Sequence, residues 1–487
     1  MIFASFEFVA FFLLLLIGRS VCRSLSSDNW LLLLASYAFY VSWSAPSVLL
    51  ILAVSLVDYH VGHRLALAQL PRERKRWLAV SIGTNLGLLG FFKYTNFLVA
   101  NAGWAARVFG FDTAGWRFDI ILPVGISFFT FKSMSYTLDV YRRTMQPCQS
   151  VRDYLLFVSF FPQLLAGPIV RASELLPQLA RRVRASAVEI ESGLVQFGLG
   201  AIKKLVIADQ VAGHVNLIFA TPGQYDALTL LQGAAGYTVQ IYCDFSGYSD
   251  MAIGVARILG YRTAENFQMP YSAVNITEFW HRWHISLSSW FRDYLFLPSA
   301  YAFSRRMQEE RYVGVRVDLV IYVAAILTTF AVCGLWHGAS WTFVVWGCYH
   351  GIALGTHRVW KVWRPLKALA RHTTYKRWSA AVARLVTLAV VVVGWVIFRA
   401  ESLESAGQYL MRIGTLASGG TRLLSPYIVP ACVAVCLVHL LTHKDRNWPV
   451  EISQRPVAIR VVSYAFMIFL VVSFGATDAA PFIYFQF

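Results

Sequence analysis

The chain alternates throughout between long apolar stretches and short connections that are rich in Lys and Arg. Of its 487 residues, 57% are hydrophobic and 14% are charged, whereas a soluble protein carries about a quarter charged residues. A larger soluble core cannot account for this deficit, because soluble cores stop growing at this chain length and chains split into domains. Repeated apolar stretches are typical of membrane-spanning helices. We therefore predict an all-α polytopic membrane protein.

The formal net charge of +17 raises the question of a nucleic-acid partner. The basic residues lie in the connections between apolar stretches, where the positive-inside bias of membrane proteins places them. No RNP, zinc-finger or helix-turn-helix pattern accompanies them. We therefore predict no nucleic-acid partner, and we interpret the charge as a topology signal in a protein surrounded by membrane lipid.

The first apolar stretch, Phe8–Ile17, follows Glu7 and precedes Arg19 and Arg23. A signal peptide has the opposite order of charge, so we predict a retained first span with the N-terminus outside. The same basic connections predict about eleven or twelve transmembrane helices in all. The predicted spans are Phe8–Ile17, Leu31–Trp43, Ser47–His63, Trp77–Ala100, Ile120–Val140, Leu205–Phe219, Leu228–Ala256, Val317–Leu335, Trp341–Gly355, Leu385–Phe398, Pro426–Leu441 and Ile459–Phe474.

Two further stretches are too broken or too polar to be ordinary spans. Tyr154–Val170 contains two prolines and a glycine and has basic residues on both sides, which favours a re-entrant segment that faces a cavity. Ile276–Leu297 mixes aromatic residues with His, Arg and Asp and suits an interfacial or re-entrant element. We predict one membrane domain over 1–487, with N-terminal spans in 1–140, a catalytic core in 154–360 and C-terminal spans in 380–487.

Ionisable residues inside apolar stretches are candidates for function, because burying them in a membrane is costly. Asp244 and Asp250 lie in one such stretch, six residues apart, so they project from different faces of a helix and do not form an acid–base pair. Ser246 and Gly247 between them suggest a break or a close helix contact. A structural role and, together with Tyr248, contact with substrate or donor both remain open.

A second cluster, Glu278–Ser288, contains His281 and His284, which would share one face of a helix. Two histidines there could ligate a metal, but no further ligand is evident nearby, and we predict no metal site. Arg282 could contact lipid head groups or the phosphates of a donor. An interfacial helix with basic residues at the head groups explains the same pattern.

The third cluster is Gly334–Trp341, in which His337 follows Trp336 and precedes Gly338 between two predicted spans. Glycine allows close approach of a substrate or of a neighbouring backbone. A low dielectric would favour the neutral imidazole that a general base needs. Catalysis and simple packing are both open for His337, and His350, at the far end of the next span, is a weaker candidate for substrate or donor binding.

Five motifs in chain order resemble the membrane-bound O-acyltransferase (MBOAT) family, in particular its bacterial AlgI/DltB-like branch. They are LPVGISFFTF at Leu122–Phe131, FFPQLLAGPI at Phe160–Ile169, DFSGYSD at Asp244–Asp250, EFWHRWHISLS at Glu278–Ser288 and LWHG at Leu335–Gly338. The resemblance extends over the whole chain. It implies the MBOAT fold, in which the helices surround a central tunnel.

The resemblance also implies a site and a reaction. His337 matches the family's catalytic histidine, and His284 matches a second histidine thought to lie at the same cavity. The donor would be a cytoplasmic thioester, acetyl-CoA or an acylated carrier protein, with no bound cofactor. The acyl group, acetyl by this resemblance, would be used for O-acetylation of an extracellular or periplasmic polysaccharide, with help from a periplasmic SGNH or AlgX-like partner at the bacterial inner membrane.

Some residues depart from the pattern of the alginate proteins and leave the acceptor polymer open. Lys132 stands where relatives often carry Glu or Gln, and His281 stands where Arg is common. Two other functions remain possible on the sequence alone. D-alanyl transfer from a carrier-protein thioester would use the same fold, and a non-enzymatic polysaccharide transporter would be expected to contain inverted repeats, which the sequence lacks.

Overall fold

The structure is a computed structural model that describes residues 1–113, 115–307, 309–312, 314–363, 373–442, 447–476 and 482–483. Most of the described residues are helical, and very few are in strands. Their one sheet is a short antiparallel ribbon in which β1 (Arg311–Tyr312) pairs with β2 (Val315–Arg316). The prediction of an all-α fold is confirmed.

The α-helices follow one another along the chain with short connections. They are α1 (Phe6–Val21), α2 (Leu25–Val41), α3 (Ala45–Leu67), α4 (Pro71–Leu89), α5 (Thr95–Val108), α6 (Ile126–Tyr141), α7 (Val151–Ser159), α8 (Phe161–Leu164), α9 (Ala172–Leu179), α10 (Ala187–Ala201), α11 (Asp209–Ala220), α12 (Ala227–Ile258), α13 (Ile276–Arg282), α14 (Ile285–Phe291), α15 (Leu297–Arg306), α16 (Val317–His337), α17 (Trp341–Trp363), α18 (Thr373–Arg399), α19 (Leu403–Gly414), α20 (Ile428–Leu441), α21 (Trp448–Ser453) and α22 (Val457–Phe474). Three π-helical turns are Gly90–Tyr94, Ile202–Ala208 and Arg292–Phe296, and two 3-10 turns are Pro222–Gln224 and Pro270–Ser272.

By length and composition, four helices of the described part of the chain could each cross a membrane. They are α3, α16, the Ser379–Arg399 part of α18, and α22. Helix α20 is apolar but has only 14 residues. The other predicted spans coincide with helices that are shorter or more polar, so the number of eleven or twelve spans stays a prediction.

Some predicted spans differ from the observed helices in detail, while their crossing of the membrane stays a prediction. The Trp77–Ala100 stretch is interrupted by the π-helical turn between α4 and α5. In the Ile120–Val140 stretch the helix begins only at Ile126, after Gly125 with φ of 79°. Pro123 just before it lacks a backbone donor and breaks the pattern further.

The predicted break in Tyr154–Val170 is confirmed. Helix α7 ends at Ser159, α8 lasts for one turn, and the backbone from 165 to 171 is not helical. Pro162 lies at the start of α8, where its missing N–H needs no helical partner. Re-entry of this segment into the membrane stays a prediction.

Contacts divide the chain into two compact units, each assembled from three stretches of sequence. Unit 1 comprises 1–199, 248–264 and 449–463, and unit 2 comprises 200–247, 265–448 and 464–487. Helix α12 is shared, with unit 2 ending at Gly247 and unit 1 resuming at Tyr248. The prediction of one membrane domain, with its three sequence regions, stays a prediction.

Within unit 2, α16 and α17 form a helical hairpin, and glycines set its close packing. A Cβ atom on Gly334 would lie 2.1 Å from the Phe343 carbonyl oxygen, and one on Gly347 would lie 2.1 Å from that of Phe330. Small residues allow helix backbones in membrane proteins to approach this closely. The hairpin thereby places the end of α16, where His337 lies, against α17.

Candidate active site

Helix α16 ends at a buried histidine. His337 is its last residue, the backbone turns extended at Gly338, and the side chain is 5% exposed. Its ring centroid lies 5.0 Å from that of Trp336, 5.1 Å from that of Trp346 and 5.3 Å from that of Phe398, each pair at a steep angle. These edge-to-face contacts hold the imidazole in one orientation.

Helix α17 brings a second histidine to the same group of rings. Trp346 and His350 are four residues apart on α17, so their side chains share a face. The His350 ring lies 5.1 Å from Trp346 and 5.1 Å from Trp280 between centroids, and it is fully buried. His350 therefore lies next to the indole that contacts His337, without touching His337 in any described ring contact.

The second candidate cluster is not the continuous helix that we predicted. Helix α13 ends at Arg282, and His284 has left-handed backbone angles, φ 42° and ψ 55°, before α14 begins. The prediction that His281 and His284 share a helical face is therefore wrong. His281 is exposed, whereas His284 is 1% exposed.

Asn266 fixes the tautomer of His284. The Asn266 Oδ1 atom accepts a hydrogen bond from the Ser286 backbone N–H at 3.2 Å, and it lies 3.1 Å from His284 Nδ1. Because a backbone N–H can only donate, the atom that faces it is the amide oxygen, and His284 Nδ1 must donate to it. A neutral His284 then carries its lone pair on Nε2.

A single indole connects the two principal histidines. The Trp336 ring lies 5.0 Å from His337 and 6.3 Å from His284 between centroids. The His284 ring also meets the Phe245 ring edge-on, with the centroids 4.6 Å apart. The structure thus brings His284, Trp336 and His337 together, as expected if they serve one site.

Asp244 forms part of a buried ionic cluster. Its Oδ1 atom lies 2.6 Å from Lys204 Nζ, which also contacts Asp209 Oδ1 at 2.8 Å. Helix α12 runs through Gly247 without a break, so the predicted break is wrong and the predicted close helix contact is confirmed: a Cβ there would lie 2.7 Å from the Gly200 carbonyl oxygen. Such buried ion pairs are typical of a residue with a structural role.

Tyr248 and Asp250 belong to unit 1, whereas the two principal histidines belong to unit 2. The Tyr248 ring packs on Phe3 at 4.8 Å, and Asp250 Oδ1 accepts a hydrogen bond from Gln196 Nε2 at 3.4 Å. Both residues stay candidates for substrate or donor contact, with no described contact to the histidines.

Arg282 is held by its own helix and the preceding turn. It pairs with Glu278 and donates to Ser272 Oγ at 2.7 Å. These contacts occupy the guanidinium with protein groups, so its predicted role toward lipid or donor phosphates stays a prediction.

A cavity of about 690 Å³ lies along α16. The part of α16 that lines the cavity runs from Tyr322 to Cys333. It is about 16 Å long along the helix axis. Near Tyr322 the lining includes Arg358, whose guanidinium lies 5.4 Å from the Tyr322 ring, and the exposed Lys361. At the other end, Cys333 lies one helical turn before His337. The remaining wall mixes aromatic and aliphatic side chains such as Trp280 and Phe330 with polar ones that include Arg292 and His357.

Among the described residues no group of three or more His, Cys, Asp and Glu side chains is arranged to hold a metal ion. The candidate site consists of His284, Trp336, His337 and the side chains that contact them. Three of its members were not found from the sequence: Asn266, Trp346 and Phe398. Trp346 could have been noticed from its spacing to His350, but Asn266 and Phe398 come from distant parts of the chain and carry no local signal.

Comparison with known proteins assigns the fold and the reaction class. The sequence profile of the membrane-bound O-acyltransferase family matches residues 37–392. This chain belongs to the membrane-bound O-acyltransferase family. It is therefore an O-acyltransferase embedded in a membrane, and the resemblance noted from the five motifs is confirmed.

Individual members of the family differ in how much of the chain they match. The chain is 38% identical to a probable alginate O-acetylase AlgI of Pseudomonas aeruginosa over 415 residues, which cover 83% of this chain and 73% of the relative. It is 35% identical to a peptidoglycan O-acetyltransferase of Helicobacter pylori over 406 residues, covering 77% and 71%. It is 28% identical to a teichoic acid D-alanyltransferase of Bacillus subtilis over 283 residues, covering 58% and 69%.

Proposed function

We propose that this enzyme transfers an acetyl group from a cytoplasmic thioester to a hydroxyl group that serves O-acetylation of a polysaccharide outside the inner membrane. The observation that carries the proposal is the pairing of two buried histidines, His284 and His337, on one indole. They lie in a chain similar over most of its length to an alginate O-acetylase and a peptidoglycan O-acetyltransferase.

In the proposed reaction, His337 is the general base. Its imidazole takes the proton of the acceptor hydroxyl as the oxygen attacks the thioester carbonyl carbon. The new C–O ester bond forms, the C–S bond breaks, and the proton passes to the departing thiolate. The aromatic neighbours of His337 support this role, because they restrict the ring to one orientation.

The tautomer of His284 supports one of the two roles that it could have. Neutral His284 donates through Nδ1 to Asn266 and so offers a lone pair on Nε2. A lone pair accepts a hydrogen bond from the acceptor hydroxyl, but it cannot stabilise an oxyanion, which needs a donor. We therefore assign His284 the orientation of the acceptor.

The cavity along α16 supports a phosphate-bearing thioester as the donor. Arg358 and Lys361 line one end, and the positive-inside bias predicts that this end faces the cytoplasm. Basic side chains there could contact phosphates, and the aromatic and aliphatic side chains of the wall could contact a thioester arm. Acetyl-CoA and an acylated carrier protein share this chemistry, and we favour acetyl-CoA because the relatives similar over most of the chain are acetyl-transferring proteins by name.

The acceptor need not be the polymer itself. In the proposed scheme a periplasmic partner, SGNH-type or AlgX-like, completes delivery to the polysaccharide. D-alanyl transfer is the second candidate function, and the shorter match to the teichoic acid D-alanyltransferase gives it less support. A transporter has no observation in its favour.

The test is turnover of radiolabelled acetyl-CoA by the full-length protein in nanodiscs. We expect His337→Ala to lower thioester loss by about 10²–10⁴-fold, the usual contribution of a general base. The matched control is His439→Gln, which removes another buried imidazole, one that contacts Tyr242 and the Val435 carbonyl oxygen. Equal turnover in wild type and His337→Ala would contradict the role of His337. No turnover in the wild type would shift the donor to a carrier-protein thioester.

A further inference from the structure

The segment Phe482–Ile483 is held in unit 2 by the buried carboxylate of Asp244. The Ile483 backbone N–H donates to Asp244 Oδ2 at 2.8 Å, while Oδ1 faces Lys204. Phe482 and Ile483 are 4% and 3% exposed. Both residues of this short segment are therefore buried within unit 2.

The charges around Asp244 explain why a backbone donor is needed there. Lys204 supplies one ammonium group, which Asp244 and Asp209 share. A buried carboxylate is tolerated when its oxygen atoms are all hydrogen-bonded or paired. The N–H of Ile483 gives the second oxygen of Asp244 its partner, so undocking the segment would leave that oxygen less well satisfied.

The docked segment is connected to His284 through one ring. Phe482 lies 5.9 Å from Phe245 between ring centroids, and Phe245 meets the His284 imidazole edge-on at 4.6 Å and 89°. Phe245 directly follows Asp244 on α12. One residue of the helix thus bonds the segment, and the next packs against both Phe482 and the histidine.

Residues 474 and 476 are bonded to the π-helical turn that carries Lys204 and to the start of α11. The Ala476 backbone N–H donates to the Leu205 carbonyl oxygen at 3.1 Å, and Gln210 Nε2 donates to the Phe474 carbonyl oxygen at 2.8 Å. A π-helical turn rearranges the regular hydrogen-bond ladder, and such turns are frequent at functional sites.

We propose that Asp244 docks the Phe482–Ile483 segment and that the docked segment positions the His284 ring through Phe245. Asp244 is then a positioning residue, not a residue that touches substrate. The catalytic consequence rests on the role of His284 in the proposed function, whereas the docking itself does not.

The first test measures the accessibility of His284 without any turnover. Full-length wild type, Asp244→Ala and Phe482→Ala proteins in nanodiscs are treated with diethyl pyrocarbonate, and modification of His284 is followed by peptide mass spectrometry. We expect the modification rate of His284 to rise about 10- to 100-fold in Asp244→Ala, the change that corresponds to losing a hydrogen bond to a charged group. It should also rise in Phe482→Ala, which removes the ring that packs on Phe245. The matched control, Asp209→Asn, weakens the same lysine contact but leaves Ile483 bonded, and it should keep the wild-type rate.

A general loss of folding would raise modification at every buried histidine, so His350 and His439 serve as internal references in each sample. A selective rise at His284 in Asp244→Ala and Phe482→Ala supports the proposal. The proposal is overturned if His284 is modified at the same rate in Asp244→Ala as in Asp209→Asn.

The second test is a double-mutant cycle on acetyl-CoA turnover with Phe482→Ala and Phe245→Ala. If the segment acts on His284 through Phe245, Phe482→Ala lowers kcat in the wild type but has little further effect once Phe245 is removed. Additive losses would overturn the connection through Phe245. If the wild type does not turn over acetyl-CoA, the proposed donor is wrong, and the labelling experiment still decides the docking.

Discussion

The imidazole of His337 and the indole of Trp346 meet edge to face, with ring centroids 5.1 Å apart and ring planes at 88°. One ring lies at the end of α16 and the other on α17, and the two helices are packed backbone to backbone at Gly334 and Gly347. The geometry of this pair is therefore set by two rigid backbones. A substitution of Trp346 on α17 should therefore alter the position of His337, the proposed base, without changing His337 itself.

We expect Trp346→Leu to lower kcat by about 10- to 100-fold, because a misplaced base loses much of its effect even when it is chemically intact. The KM for acetyl-CoA should change little, since Trp346 is not among the residues that line the cavity along α16. Steady-state kinetics in nanodiscs measures both constants. Trp341→Leu, which removes an indole that is 53% exposed at the start of the same helix, is the control. An equal fall in kcat in the two variants would contradict the prediction.

Asn266 provides a test of the His284 tautomer. Its Oδ1 atom lies within hydrogen-bonding distance of His284 Nδ1 and accepts from Ser286 N and Ser286 Oγ. We expect Asn266→Ala to lower kcat by about 10²-fold or more, because the ring can then adopt the wrong tautomer. Asn266→Asp keeps an acceptor for all three contacts and should restore much of the lost rate. A rate for Asn266→Asp as low as that for Asn266→Ala would show that the acceptor is not what matters.

The sequence identified candidate histidines but not how the chain presents them. His284 and His337 were singled out from their motifs, and both lie against Trp336. A helical spacing placed His281 beside His284, yet the chain changes direction at Trp283–His284, where no glycine or proline announces a turn. Left-handed angles at a non-glycine residue are set by surrounding contacts, here those of Asn266, and such contacts leave no local pattern in a sequence.

Glycine and proline gave mixed information about the helices. Pro162 correctly marked the break after α7, because proline cannot donate a helical hydrogen bond. Gly247 was compatible with a break or a close contact, and only the structure separates the two, since the partner backbone at Gly200 lies 47 residues earlier. The ionic partner of Asp244, Lys204, lies 40 residues earlier and is equally invisible to a local pattern.

The glycine packing of the α16–α17 hairpin predicts that alanine destabilises the protein more at one position of α17 than at another. We expect Gly347→Ala to destabilise the protein by about 1–3 kcal/mol, because the new Cβ would lie 2.1 Å from a backbone oxygen that cannot move aside. Gly355→Ala on the same helix is the matched control, since its Cβ would meet Val323 at an ordinary 3.5 Å. Thermal unfolding in detergent compares the two. Equal melting temperatures would contradict the close packing.

The contacts of Asp226, just before α12, predict that its carboxylate contributes to stability in a pH-dependent way. Hydrogen bonds from the Thr229 side chain and N–H, together with the Arg422 guanidinium, lower the pKa of Asp226 from 3.8 to about 2. Because the folded pKa is the lower one, the ionised carboxylate stabilises the fold above about pH 4, and this contribution is lost as the pH falls toward the folded pKa.

We therefore expect Asp226→Asn to lower the melting temperature at pH 6 and the difference from wild type to shrink steadily between pH 4 and pH 2. Asp318→Asn is the control, because Asp318 is paired with Arg316 in an exposed contact that contributes little to stability. A difference between Asp226→Asn and wild type that is the same at pH 6 and pH 2 would contradict the assignment.

The interleaving of the two compact units has a consequence for biosynthesis. Unit 1 takes its last stretch from residues 449–463, where Arg460 pairs with Glu191 of α10 at 2.6 Å. A ribosome delivers the chain from its N-terminus, and domains that are continuous in sequence can fold as they emerge. Unit 1 cannot do so, since its early helices must wait in the membrane for a segment that is translated more than 180 residues after α12 has been made. Assembly of the two units is thereby coupled in time, and the emerging helices depend on the insertion machinery for longer than those of a sequentially built protein.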